Sequence, residues 1–266
     1  MKTIASTILL LVATSGLHAT LLVNDPIPTS TDYDTDWSDS TSNVGYNSGT
    51  ASWSGDSDYT LSGAGGMIRA NSFNTWRGVQ LDFGSPLSGQ FWFSILMDEN
   101  SSAGTDSGIA FALENGGYSI SSFDGFGVGI SGNGNLMTSQ SAAAPAEVAG
   151  PVAVPQSGGW TLFVAKITVN GGGANDSIDL WAFDNTSSFG LTEVSLGSAI
   201  FTSSTVQYGD DVQDIWVGGR IGTGSGAGDF DNIRISDLSG DQGLQEVMTG
   251  VAVPEPSTYA MLMGLL

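Results

Sequence analysis

Between about residues 20 and 240 no stretch keeps apolar residues at helical spacing for three turns, which confines this part of the chain to strands and turns. The clearest strand covers 90–97. Phe91, Phe93, Ile95 and Met97 point one way and Trp92, Ser94 and Leu96 the other, because side chains along a strand alternate with a period of two. Apolar residues in both phases predict burial on both faces. Residues 160–169 repeat the pattern, with Leu162 and Val164 opposed to Phe163, Ala165, Ile167 and Val169. They run into Asn170-Gly171-Gly172-Gly173, a hairpin turn, and return with Ile178, Leu180 and Ala182 on one face and Asp179, Trp181 and Phe183 on the other. A second strand pair is expected at 211–219 and 228–236, with Gly222, Gly224 and Gly226 between them. Strands are also expected at 76–83, 108–113 and 126–130, each bounded by Gly, Asn, Asp or Ser. Short strands at this spacing predict an all-β sandwich of antiparallel sheets. Residues 139–159, with Ala142-Ala143-Ala144-Pro145, read as a long surface loop.

The amino-terminal stretch has Lys2, an apolar run through Ile8, Leu9, Leu10, Leu11 and Val12, and a close at Leu17-His18-Ala19. This is the pattern of a secretory signal peptide over 1–19, too short in its apolar core to span a bilayer, and it predicts export with removal after Ala19. His18 is the single histidine of the chain and would leave with that segment. Cysteine is absent although export permits disulfides, so the fold must rest on its core. A mature region without imidazole or thiol has no Ser-His-Asp triad, no thiolate nucleophile and no ordinary zinc site. Carboxylate pairs, Lys166 as base or Schiff base, and hard-cation chemistry remain open. With 27 acidic against 6 basic residues and a net charge of -21, the chain repels phosphate backbones and anionic lipid heads, which excludes nucleic-acid binding.

At the other end Val253, Pro254, Glu255, Pro256 and Ser257, followed by Thr258, lead into the apolar stretch 259–266. This run resembles the PEP-CTERM sorting signal. The resemblance implies handling by exosortase-type sorting machinery, transient membrane association through the tail, and delivery to the cell surface, the outer envelope or the extracellular matrix. The apolar stretch is shorter than the roughly 20 residues of a spanning helix and carries no basic cluster, so the signal reads as truncated.

Two internal segments, 159–167 running through 177–181 and Gly228-Asp229-Phe230-Asp231-Asn232-Ile233-Arg234-Ile235-Ser236, resemble the concanavalin A-like lectin and glucanase superfamily, in particular its LamG-like exported members. The resemblance implies a jelly-roll sandwich over 20–240, in which the closing strand lies beside the first strand at 20–24. It leaves 241–252 as a linker and 253–266 as the sorting signal. Because the matching residues are packing residues and turns, the resemblance speaks to fold more than to function.

Glycan hydrolases of laminarinase type on this fold carry Glu-x-Asp-x-x-Glu or Glu-x-Asp-x-Glu along one strand, which sets alternate carboxylates about 5 Å apart. No such run occurs. Glu99, Glu114, Glu147, Glu193, Glu246 and Glu255 stand isolated, and Asp229-Phe230-Asp231 and Asp98-Glu99 lack a third member. The expectation is therefore a non-enzyme with no catalytic residues. The alternatives are a glycan hydrolase whose carboxylates come from separate strands, or a purely structural matrix component. The densest acidic cluster, Asp32, Asp34 and Asp36, has the alternate oxygens of a calcium loop without the EF-hand glycine and glutamate; a solvated acidic loop is the competing reading. Of seven tryptophans, Trp92, Trp160, Trp181 and Trp216 lie in strands and read as packing residues. Trp37 and Trp53 lie in polar loops and are the candidates for stacking on an extracellular polysaccharide. Arg69, Arg77, Arg220 and Arg234 read as ion-pair partners that fix strand ends, and Lys166 as a side chain that snorkels off the sheet.

Overall fold

The computed structural model describes residues 21–25, 37–39, 44–49, 51–61, 66–71, 76–100, 108–114, 125–140, 146–172, 175–206, 211–220 and 227–253. Among these, two antiparallel sheets stack face to face. One contains β1 (Val23–Asp25), β3 (Val44–Asn47), β4 (Met67–Asn71), β6 (Gly89–Asn100), β11 (Trp160–Val169), β12 (Asp176–Phe183), β13 (Phe201–Val206) and β15 (Ala227–Ser236). Its order is β13-β12-β11-β6-β15-β4-β3, with β1 also paired to β15. The other contains β2 (Trp37–Asp39), β5 (Arg77–Leu87), β7 (Gly108–Glu114), β8 (Gly125–Ser131), β9 (Leu136–Gln140), β10 (Ala146–Glu147) and β14 (Val212–Arg220). Its order is β10-β9-β8-β7-β14-β5-β2.

The core between the sheets is built from one phase of each strand. Phe91, Phe93, Ile95 and Met97 of β6 and Phe163, Ala165 and Ile167 of β11 meet Ile109, Phe111 and Leu113 of β7 and Ile215 and Val217 of β14. The rings of Phe93 and Phe111 touch across the gap with centroids 4.7 Å apart. The hairpin expected at Asn170 joins β11 to β12, with Lys166 opposite Asp179 and Ile167 opposite Ile178. The closing strand β15 lies beside β1, Val23 opposite Ile235, as the family resemblance implied.

Three features differ from the sequence expectation. The strands at 211–219 and 228–236 form, but not as a pair: β14 lies between β5 and β7 in one sheet, and β15 beside β6, β4 and β1 in the other. Each has its hydrogen-bonding edges taken by other strands, so their connection passes between sheets.

The second difference is a bulge in β15. Strict alternation would send Phe230 and Ile233 to opposite faces, but the register shifts between Asp231 and Arg234, with Asn232 at φ 49. The extra residue puts Phe230, Ile233 and Ile235 all in the core and turns Asp229, Asp231, Arg234 and Ser236 outward.

Residues 241–252, expected as a linker, mostly form helix α1 (Gly240–Thr249). Leu244, Val247 and Met248 share one face and are fully buried over Trp92, Leu96, Leu162, Val164 and Trp181, the second phase of β6, β11 and β12. This cover explains why β6 is apolar in both phases. Gly243 marks the closest approach, where a Cβ would overlap the carbonyl oxygen of Leu238 and press on the Trp92 ring. Among the described residues no helix is long and apolar enough to cross a membrane.

Candidate functional site

Three loops meet where β6 and β12 end and β11 and β15 begin, away from the amino end of α1. They are 51–58, 156–159 and 184–189. Asp184 joins two of them: its carboxylate accepts from Ser157 N at 3.1 Å, Thr186 N at 2.9 Å, Thr186 Oγ1 at 2.8 Å and Ser187 Oγ at 3.0 Å. Burial alone would raise its pKa, but these bonds outweigh burial and hold the carboxyl below the usual aspartate range. Asp56 joins the third loop, accepting from Asp58 N at 3.0 Å, Ser188 Oγ at 3.0 Å and Phe189 N at 3.1 Å. The Asp58 N–H is the main cause of its lowered pKa. Asn185 completes the join, because its Oδ1 accepts from Ser54 N at 3.0 Å and its Nδ2 lies against Gly158.

Gly158 and Gly159 are the floor of this edge. Both take positive φ, 91 and 90, which L side chains rarely adopt. Asn185 flanks Gly158, and Asp98 flanks Gly159, with Asp98 Oδ1 3.4 Å from where a Cβ of Gly159 would stand. Among the described residues the carboxylate of Asp98 accepts no hydrogen bond, nor does that of Asp58, whereas those of Asp56, Asp184 and Asp229 are all engaged. Asp229 is held by Arg69, whose Nε and Nη2 donate at 2.7 and 2.6 Å. Burial first, and then the negative charge of Asp229, push the Asp98 carboxyl above the ordinary aspartate range.

The residues singled out in the sequence are only partly brought together. Trp53 sits at this edge, half-buried, edge-on to Tyr59 at 5.6 Å and tilted on Phe189 at 6.3 Å, with Nε1 donating to Asp56 O at 3.1 Å. It is thus both a packing residue and a partly open aromatic face. Trp37 belongs to β2 in the other sheet, opposite Leu81. Asp32, Asp34 and Asp36 lie outside the described residues, as do 1–19 and Pro254, Glu255, Pro256 and Ser257. Val253 is described, and its N–H donates to Glu246 Oε1 at 2.8 Å. Among the described residues no group of three or more His, Cys, Asp or Glu side chains could hold a metal ion. Lys166 does not snorkel freely: its Nζ pairs with Asp179 Oδ2 at 3.1 Å and with Glu193. Arg69 makes the expected ion pair. Arg234, on the face away from the inter-sheet core, is fully buried and donates to the carbonyls of Val247 and Met248 in α1.

Sequence reading missed Asp98 because its partners, Gly159, Asp229 and Arg69, are far away along the chain. Carboxylates from separate strands do occur on the outer face of the seven-stranded sheet, where Glu114 of β7 stands opposite Asp214 of β14 beside Trp216. Both are buried, at 0% and 3% exposure, so a polymer does not reach them in this conformation.

No family model matches the chain, and no curated protein matches it. Solved structures do. The legume lectin-like domain from Entamoeba histolytica aligns with TM-score 0.48 and 7% identity over 82% of this chain and 98% of that one. The carbohydrate recognition domain of Emp47p aligns with TM-score 0.46 and 13% identity over 80% and 93%. A GH43 glycoside hydrolase aligns with TM-score 0.47 and 10% identity over 85% of this chain but only 42% of its own. Three further matches are likewise spanned over at most 45% of their length.

Proposed function

We propose that this chain is an exported, non-enzymatic surface protein that binds neutral carbohydrate at the edge formed by Asp98, Gly158, Gly159, Asn185 and Trp53. One observation carries the reading: among the described residues the half-buried carboxylate of Asp98 accepts no hydrogen bond, and it stands beside Gly159, whose neighbour Gly158 is flanked by the Asn185 amide. A carboxylate accepts hydroxyl hydrogens, an amide does both, and glycines let a ring come close, which is the chemistry a pyranose needs. The Asp184 and Asp56 bonds fix the loops before ligand arrives, lowering the entropy lost on binding. Arg69 is committed to Asp229 and the net charge is -21, so anionic sugars are disfavoured. The amino-terminal pattern of 1–19 and the run at 253–257 support export and delivery to the cell surface by exosortase-type machinery.

Purified protein on a glycan array, followed by calorimetry, tests the reading. Neutral oligosaccharides should bind, and Asp98→Asn should weaken binding at least about tenfold, the size of one lost charge-assisted hydrogen bond, while the fold stays intact. Unchanged affinity in Asp98→Asn would refute this edge as the site.

A further inference from the structure

The strand register puts Asp98 in a row that its own charge destabilises. β6 and β15 set Asp98 directly opposite Asp229, and β15 and β4 set Asp229 opposite Arg69, so three ionisable side chains share one face. Two carboxylates thus share one guanidinium, and Arg69 closes with both its bonds on Asp229. Among the described residues the other elements around Asp98 offer no second cation. Glu99, next along β6, alternates to the other side of the sheet. Asp231, farther along β15, accepts from Ala51 N. β11 contributes Trp160, opposite Asp98, and the 156–159 turn contributes Gln156, Ser157 and two glycines. Asn185 is neutral. A half-buried carboxylate therefore faces a like charge whose counter-ion is already taken.

We propose that this row makes the loop edge a pH-gated receptor: ionised Asp98 accepts sugar hydroxyls, and on acidification it takes up one proton, the sugar is released and the sandwich becomes more stable. The gate rests on the carbohydrate reading given above. The raised pKa of Asp98 fits it. A group whose folded pKa is raised adds stability that is present below its unfolded value and lost as pH rises through the folded one. Protonation therefore relieves the Asp98–Asp229 repulsion in the same window in which it removes the acceptor. For a single proton, affinity falls about tenfold per pH unit below the midpoint.

The test separates the gate from the sugar. In the first arm, the side-chain carboxyl of Asp98 is followed by 13C NMR in the ligand-free full chain and identified by its loss in Asp98→Asn. Its midpoint should lie above the ordinary 3.8, fall in Asp229→Asn and rise in Arg69→Gln. Asp98→Asn should also raise the melting temperature at pH 7. In the second arm, affinity for a neutral oligosaccharide taken from the array should fall through the same midpoint. An ordinary midpoint, one unmoved by Asp229→Asn, or a melting temperature lowered in Asp98→Asn overturns the gate even if sugars bind. Affinity flat through the midpoint does so too. Failure of every neutral sugar to bind while Asp98 titrates high overturns the recognition reading, and the gate with it.

Discussion

The outer face of the eight-stranded sheet has two ends, from Trp92 to Asp98 along β6, roughly 20 Å apart at a strand's rise per residue. They treat buried polarity in opposite ways. At the α1 end Ser94 Oγ donates to Val247 O at 2.8 Å, and Ser236 Oγ donates to Glu246 Oε2 at 2.6 Å. Arg234, with 0% exposure, donates to Val247 O at 3.0 Å, Met248 O at 2.9 Å, Asn232 Oδ1 at 3.1 Å and Thr60 O, and lies 4.9 Å from the centroid of the Tyr59 ring. The carbonyls it reaches include the last turn of α1, where the helix presents unpaired oxygens and the negative end of its dipole. Arg234 therefore works as a cap and a bolt between helix, loop and sheet, a role the sequence did not suggest. At the loop end Asp98 is left with a like charge opposite it. One end uses a buried charge to hold a cover down, and the other keeps a charge that costs stability.

The largest expected effect follows from the bolt. Arg234→Met retains the apolar stem and removes donors from three carbonyls, and should lose about 3–5 kcal/mol, the range for breaking a buried charged network. Chemical denaturation measures it. Arg234→Lys should recover only part, because an ammonium cannot reproduce the planar fork. A loss below about 1 kcal/mol would erase the contrast between the ends.

Next comes the loop edge. Asp184→Ala leaves the Ser157 and Thr186 amides without their acceptor and should lose about 1–3 kcal/mol, with faster hydrogen exchange at those two amides. Its pH dependence sharpens the comparison within one edge. Asp184 has a lowered pKa, so its contribution is present above the unfolded aspartate value and lost as pH falls through the folded one. Asp98 has the opposite sign. As pH falls, the stabilities of Asp184→Ala and Asp98→Asn should converge on that of the parent chain from opposite sides, the first from below and the second from above.

How much of this was legible depended on the distance over which each signal acts. Strand phase is local, so the double-faced burial of 90–97 and the 160–183 hairpin could be read directly. The helix was also written locally, in Leu244, Val247 and Met248 at i, i+3 and i+4, but over ten residues that is a single set of contacts among polar neighbours, too short to stand out. The bulge at Asp231 to Arg234 had a visible cue, since Phe230 and Ile233 cannot share a face by strict alternation. The separation of β14 from β15 had none, because a glycine-rich connection serves a hairpin and a crossing between sheets equally well. Asp98 had none either: its character comes from β4, β15 and the 156–159 turn, which only the folded register brings to it.

The smallest effect tests whether burial, rather than charge, ranks these sites. Lys166 pairs with Asp179 across the β11–β12 ladder and with Glu193, and the backbone N–H of Glu193 donates to Asp241 Oδ1 of α1 at 2.8 Å. The network thus reaches the same helix that Arg234 holds, yet the side chains of Asp179 and Glu193 are 35% and 39% exposed. Water and salt screen such a pair, so Lys166→Met should lose about 1 kcal/mol or less, and high salt should remove most of the difference. Burial lowers the lysine pKa, but the two carboxylates outweigh it and the net shift is upward. The contribution is therefore present below the unfolded lysine value of about 10.4 and lost as pH rises through the folded one. If Lys166→Met lost as much as Arg234→Met, net charge and not desolvation would govern how α1 is held, and the difference between the two ends would have to be assigned to their charges.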